Sequence, residues 1–153
     1  MDDGRTRGTE RSDLQKAAFV FGIVFLVVGV IGFIPGLTTD YSRLTTFDGE
    51  GARVLGLFGA NWLENVAHLL YGAAGLALAR TWESARLYFV VGGIVYLILW
   101  IYGLVIDLDS AANFLGLNTA GNWLHFVLGV VMLGVGLVLG RRETGEAGRT
   151  TAA

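Results

Sequence analysis

Four apolar stretches separated by polar connections make up most of this chain. Ala17 to Ile34 is an uninterrupted apolar run, at the lower end of the length that crosses a bilayer as a helix. It is longer than a signal-peptide core and is followed by Pro35 and Gly36 rather than a small-x-small cleavage site, so it reads as a retained first helix that ends there. The segment GLTTDYSRLTTFDGEGAR that follows is the longest loop, with room for a short surface helix or hairpin. Val54 to Ala79 is the second apolar stretch, and it is longer than a span requires, which puts its first turns, including Asn61, at headgroup level. RTWESAR, residues 80–86, reads as a tight charged turn. The third helix, Leu87 to Ile106, has Tyr88 near one end and Trp100 and Tyr102 near the other, the placement of an aromatic belt. A second polar loop, DLDSAANFLGLNTAG, leads to the fourth helix, Asn122 to Gly140. Residues 1–16 and 141–153 lack apolar periodicity and read as solvated tails flanking a transmembrane domain over 17–140. The fold class this predicts is all-α, an integral membrane four-helix bundle.

Composition supports a single domain that is not an ordinary soluble protein: 54% of its 153 residues are hydrophobic, and the mean hydropathy is +0.59. With no cysteine, disulfides, thiolate metal sites and cysteine catalysis are excluded. The net charge of −2 matters less than where the cations sit. Arg5, Arg7, Arg11, Lys16, Arg80, Arg86, Arg141, Arg142 and Arg149 fall on one side of the predicted spans, and only Arg43 and Arg53 on the other. The positive-inside rule then puts both termini in the cytoplasm and both long loops outside the plasma membrane. Ten arginines against a single lysine suggest a GC-rich bacterial genome. Basic residues interleaved with acids, and no recognition motif, speak against nucleic-acid binding.

The strongest pattern is internal. LFGANWLENVAHLLYGAAGL, which opens at Leu57, and FLGLNTAGNWLHFVLGVVML, which opens at Phe114, align without a gap, sharing Gly59/Gly116, Asn61/Asn118, Asn65/Asn122, His68/His125, Gly72/Gly129 and Leu76/Leu133. Asn, Asn and His recur at i, i+4 and i+7, which puts them on one helix face. With the second and fourth helices running the same way, the fold becomes two parallel helix-pair repeats. Asn61, Asn65 and His68 are then expected to meet Asn118, Asn122 and His125 in a buried polar network near the outer leaflet, because polar groups in lipid must find partners.

With PGLTTDY after the first helix, LLYGAAGLALAR closing the second, GGIVYLILWIYGLV in the third and NTAGNWLH opening the fourth, the chain resembles the bacterial, mostly actinobacterial, membrane proteins of domain of unknown function 4383 over roughly residues 17–140. The resemblance implies a four-helix integral protein of the plasma membrane and implies no activity. It departs at Glu64, where members of the family often have His.

These residues do not name a reaction, and no catalytic residue is assigned. His68 and His125 have the chemistry to ligate a haem iron, and with Glu64 they could form a two-histidine, one-carboxylate metal site. The counterpart of Glu64 in the repeat is Gly121, so the paired pattern is complete without a carboxylate. A proton route along Asn61, Glu64, Asn65 and His68 lacks a second half, since no ionisable group lies deeper in the spans. The glycines, 23 in all, including Gly29, Gly32, Gly92, Gly93, Gly136 and Gly140, read as packing surfaces within the bundle or between copies of it. Asp107 and Asp109 have no third carboxylate near them to make a calcium site. The expected role is structural or interactive, without a cofactor, and haem or metal binding at the histidine pair is the alternative.

Overall fold

A computed structural model describes residues 11–47 and 51–150, with side chains as far as Arg141. Helix α1 spans Asp13–Ile31, four residues earlier than hydropathy alone suggests. Its start is set by a capping box: Ser12 Oγ accepts the Gln15 N–H at 3.2 Å and Gln15 Oε1 accepts the Ser12 N–H at 3.1 Å. Residues 13–16 therefore belong to the helix rather than to a tail, and residues 1–10 of that predicted tail lie outside the described part. At the other end the buried Thr38 hydroxyl donates to the Ile31 carbonyl at 3.1 Å, satisfying one of the helix's last free acceptors.

The second apolar stretch divides. Its first third is not helical but supplies two short strands of an antiparallel sheet in the order β1 (Thr38–Thr39), β2 (Arg53–Val54), β3 (Phe58–Gly59), with Val54 opposite both Thr38 and Phe58. The reversal between β2 and β3 runs through Leu55 and Gly56, both left-handed, a conformation that ends any helix begun at Val54. Helix α2 starts only at Trp62 and ends at Leu78, with Asn61 as its cap. The long loop, read as having room for a short helix or hairpin, holds the hairpin β1–β2, whose second strand takes Arg53 from the loop and Val54 from what was read as helix. Among the described residues of the loop, a 3₁₀ turn at Tyr41–Arg43 follows β1.

Helix α3 covers Trp82–Val105. The charged turn is shorter than RTWESAR suggested, because Thr81 Oγ1 caps the Ser84 N–H at 3.2 Å and Ser84 Oγ donates back to Leu78 O at 2.6 Å, so the helix begins inside that segment. Helix α4 runs Thr119–Thr150. Residues 141–150 of the predicted solvated tail continue this helix, and residues 151–153 lie outside the described part.

Helices α1 and α2 cross where Gly22 meets Gly72: a Cβ at Gly22 would stand 2.9 Å from Gly72 O and 2.8 Å from Leu76 N. Helices α3 and α4 cross in the same manner, a Cβ at Gly93 falling 3.0 Å from Gly129 O and 2.8 Å from Leu133 N. Further along, Gly32 lies on Asn65 and Gly103 on Asn122, so each pair is an antiparallel hairpin. The hairpins join through Phe21 on Phe89 (5.2 Å between ring centroids) and Phe25 on Tyr96 (5.7 Å), which sets α1 parallel to α3 and α2 parallel to α4. Leu14, Ala18, Phe25, Tyr88, Phe89, Tyr96 and Met132 form the core. Tyr88 is thus inside the bundle, stacked on Tyr71 at 4.7 Å, and not in an interfacial belt.

Outward the bundle is apolar, with Val20, Ile23, Val24 and Val27 of α1, Val91, Ile94 and Ile98 of α3, and Val127, Val130 and Val131 of α4 all exposed. Such a continuous greasy surface suits lipid rather than water. Asp13–Ile31, Trp82–Val105 and Thr119–Arg141 are each long and apolar enough to cross a membrane, while α2 with 17 residues is shorter. The chain is a mostly helical membrane bundle with one small three-stranded sheet.

Candidate functional site

The Asn and His positions of the two repeats gather at the end of the bundle where α2 and α4 begin. Asn61, fully buried, accepts the Glu64 N–H at 2.8 Å through Oδ1 and donates from Nδ2 to the Phe114 carbonyl, also at 2.8 Å. Asn118 does the same in mirror fashion, accepting the Gly121 N–H at 2.8 Å and donating to Leu57 O at 2.8 Å. Each asparagine therefore caps its own helix and straps that helix to the loop before the other. Leu57 and Phe114, like the asparagines, are aligned positions of the two repeats. Between the straps Gly59 backs onto Gly116 so tightly that a Cβ on Gly59 would collide with the Gly116 carbonyl.

One turn on, Asn65 and Asn122 are buried against Gly32 and Gly103, where any larger residue would overlap them. Asn65 Nδ2 and Asn122 Oδ1 have no hydrogen-bond partner. One more turn on, the His68 ring stacks on Phe25 (5.8 Å, 18° between planes) and the buried His125 ring packs on Tyr96 (5.3 Å). Phe25 and Tyr96 stack on each other, so four rings form one cluster. The Nδ1 atoms of both histidines are unpartnered.

The six residues are thus brought to one region, but the hydrogen bonds that Asn61 and Asn118 make run to backbone groups rather than between the two rows. The reason is geometric: an asparagine at a helix start reaches free N–H groups and loop carbonyls more readily than a side chain across the bundle. Glu64, half-buried, brings Oε1 to 3.9 Å from His125 Nε2, beyond hydrogen-bond length, and leaves Oε2 unpartnered. Among the described residues no three His, Asp or Glu side chains are grouped so as to hold a metal ion, and so Glu64, His68 and His125 are not assembled as a metal triad.

Glu64, His68 and His125 instead stand between two cavities. The larger, about 330 Å³, lies between α1, α4 and the sheet, with Phe21, Phe25, Val54, Phe58 and Leu128 among its walls. The smaller, about 140 Å³, lies between α2 and α3 and is lined by the same three polar residues with Tyr71 and Tyr96. A third space of about 460 Å³ opens among the loops, beside Asp40, Arg43, Arg53 and Asp109, whose mixed charges match no single ligand sign.

Two further elements of the site were not singled out from sequence. Asn113 is buried and organises the α3–α4 loop, donating to Leu108 O (2.8 Å) and Leu117 O (2.7 Å) and accepting from Leu117 N (2.8 Å). Its signal is an Asn in a loop rich in turn residues. Tyr71 and Tyr96 close the smaller cavity, Tyr71 donating to Tyr88 O at 3.2 Å; tyrosines in mid-span were the available signal.

No curated protein and no solved structure matches the chain. A family model described as Domain of unknown function (DUF4383) matches residues 15–138, from the first turn of α1 nearly to the predicted end of the fourth span, and the protein belongs to that family.

Proposed function

We propose that this protein is a multi-pass plasma-membrane protein with a structural or interaction role: a rigid platform of two repeated helix hairpins locked together at one end. What carries the reading is the pair of reciprocal straps, Asn61 to Phe114 and Asn118 to Leu57. Such a pair fits two equivalent hairpins related by an axis along the membrane normal. Gly22 and Gly93, Phe25 and Tyr96, and Gly32 and Gly103 occupy matching places in α1 and α3, as the Asn-Asn-His rows do in α2 and α4. The lock holds register, and the apolar outer faces of α1, α3 and α4 are left to lipid and to a second copy or another membrane protein.

By the distribution of arginines, both termini and the α2–α3 turn face the cytoplasm and the two capped loops face outward. Cysteines introduced at Thr46 and Thr144 test this in a chain that has none of its own: an impermeant thiol reagent on intact cells should label only the first. Labelling of the second alone reverses the topology. The competing reading, a redox protein ligating haem through His68 and His125, is favoured by their sharing the walls of both cavities. It predicts a Soret band in protein purified after haem supplementation, whereas the platform reading predicts colourless, fully folded protein.

A further inference from the structure

We propose that the cavity between α1 and α4 binds a lipid-soluble prenylated quinone, with its flat head against Glu64, His68 and His125 and its tail leaving between the two helices into the bilayer. This stands independently of the platform reading.

At about 330 Å³ the cavity is near the lower end of small-molecule sites, ~300–1,000 Å³, enough for a ring and the start of a tail but not a whole isoprenoid chain. Val20 and Val24 line it and are also half exposed on the outer face of α1, so its open side meets lipid and a ligand would arrive from the membrane. Val54 and Phe58 of the sheet roof it on the loop side.

The inner end is where the chemistry lies. Glu64, Asn65, His68 and His125 line this end, each keeping one buried side-chain polar atom without a hydrogen-bond partner, and Asn65 and His125 are more than nine-tenths buried. Unsatisfied polar groups in a lipid setting are costly, and four at one cavity end call for a ligand that completes them. Asn65 Nδ2–H, and an imidazole N–H in the tautomer that carries it, donate to a carbonyl; Glu64 Oε2 accepts from a hydroxyl. Carbonyl and hydroxyl oxygens are what the quinone and quinol forms offer on one flat ring. Flat walls match it: Phe21 and Phe25 line the cavity and His68 lies nearly parallel to Phe25. A phospholipid head is disfavoured because the lining contains no Lys or Arg, and a fatty-acid carboxylate would face that of Glu64.

The smaller cavity explains why one site is expected rather than two. Tyr71 and Tyr96 occupy there the places that Leu128 and Phe25 hold in the larger one, so the protein's own side chains fill it. This supplies the variant. Leu128→Tyr installs in the larger cavity the side chain that already fills the smaller.

The test uses the full chain in detergent micelles, with a benzoquinone and a naphthoquinone each bearing two isoprene units as probes. The same tail without a ring is the control. The melting temperature should rise saturably with quinone for the wild type, since a ligand binding only the folded state stabilises it. Leu128→Tyr should fold but bind at least tenfold more weakly, and His125→Leu should show the same loss. If Leu128→Tyr does not fold, Leu124→Phe in the same wall takes its place. The proposal is overturned by equal stabilisation from the ringless tail, by no saturable shift with either quinone, or by undiminished binding in a folded cavity-filled variant.

Discussion

Replacing Asn61 tests the strap between the hairpins, and its cost can be worked bond by bond. Asn61→Ala removes the cap on the Glu64 N–H, worth about 1 kcal/mol, and the bond to Phe114 O, worth a further ~1 kcal/mol given its burial. Asn61→Ser keeps an oxygen that can cap but cannot span to Phe114, so it should lose only the second ~1 kcal/mol. Asn118 is half-buried and its strap is exposed, so Asn118→Ala should cost less, about 1 to 1.5 kcal/mol in all. The expected order of destabilisation is Asn61→Ala, then Asn118→Ala, then Asn61→Ser. Titration of micelle-bound protein with SDS, followed through the four tryptophans, reads these differences. If Asn61→Ser were as damaging as Asn61→Ala, the reach to Phe114 would not be the stabilising contact beyond the cap. If Asn61→Ala lay within ~0.5 kcal/mol of wild type, about the average for one hydrogen bond between membrane helices, the strap would not hold the hairpins together.

Three other substitutions probe the remaining joints. Gly93→Ala should destabilise by about 1 to 3 kcal/mol, because the added methyl meets the backbone of Leu133 and Gly129, whereas Gly134→Ala enters open space and should be neutral or gain up to ~1 kcal/mol of helix propensity; the same SDS titration decides. Tyr71→Phe removes the bond to Tyr88 O and should cost about 0.5 to 1 kcal/mol without changing the far-ultraviolet circular dichroism. Ser12→Ala should cost about 1 kcal/mol and speed amide exchange in the first turn of α1 while leaving the other helices unchanged.

Hydropathy located the helices well because it reports the solvent a segment prefers, and each of the four apolar stretches holds a helix of the bundle. It did less well at their ends. Val54 to Gly59 is as apolar as a span yet pairs as strands, because hydrophobicity does not distinguish lipid from the underside of a loop sheet that roofs a cavity. Ser12 and Thr81 start their helices earlier than the apolar runs do, since a cap acts through backbone hydrogen bonds and not through hydropathy. Tyr88 looked like an interfacial residue by position along its helix, but rotation about the helix axis, set by packing on Tyr71 and Phe89, turns it inward.

The candidate site divides along the same line. The two Asn-Asn-His rows were readable in the chain, because Asn, Asn and His at i, i+4 and i+7 must share a face and the row recurs without a gap from Asn61 to Asn118, whereas Asn113, Tyr71 and Tyr96 were not. What stands opposite that face was not readable. That Asn61 reaches Phe114, that Asn65 and Asn122 settle onto Gly32 and Gly103, and that Glu64 and the histidines border a cavity all depend on how two hairpins dock. Periodicity along one helix constrains direction within that helix alone; distances between helices arise only when glycines let the backbones close and the rings of Phe25 and Tyr96 meet between them.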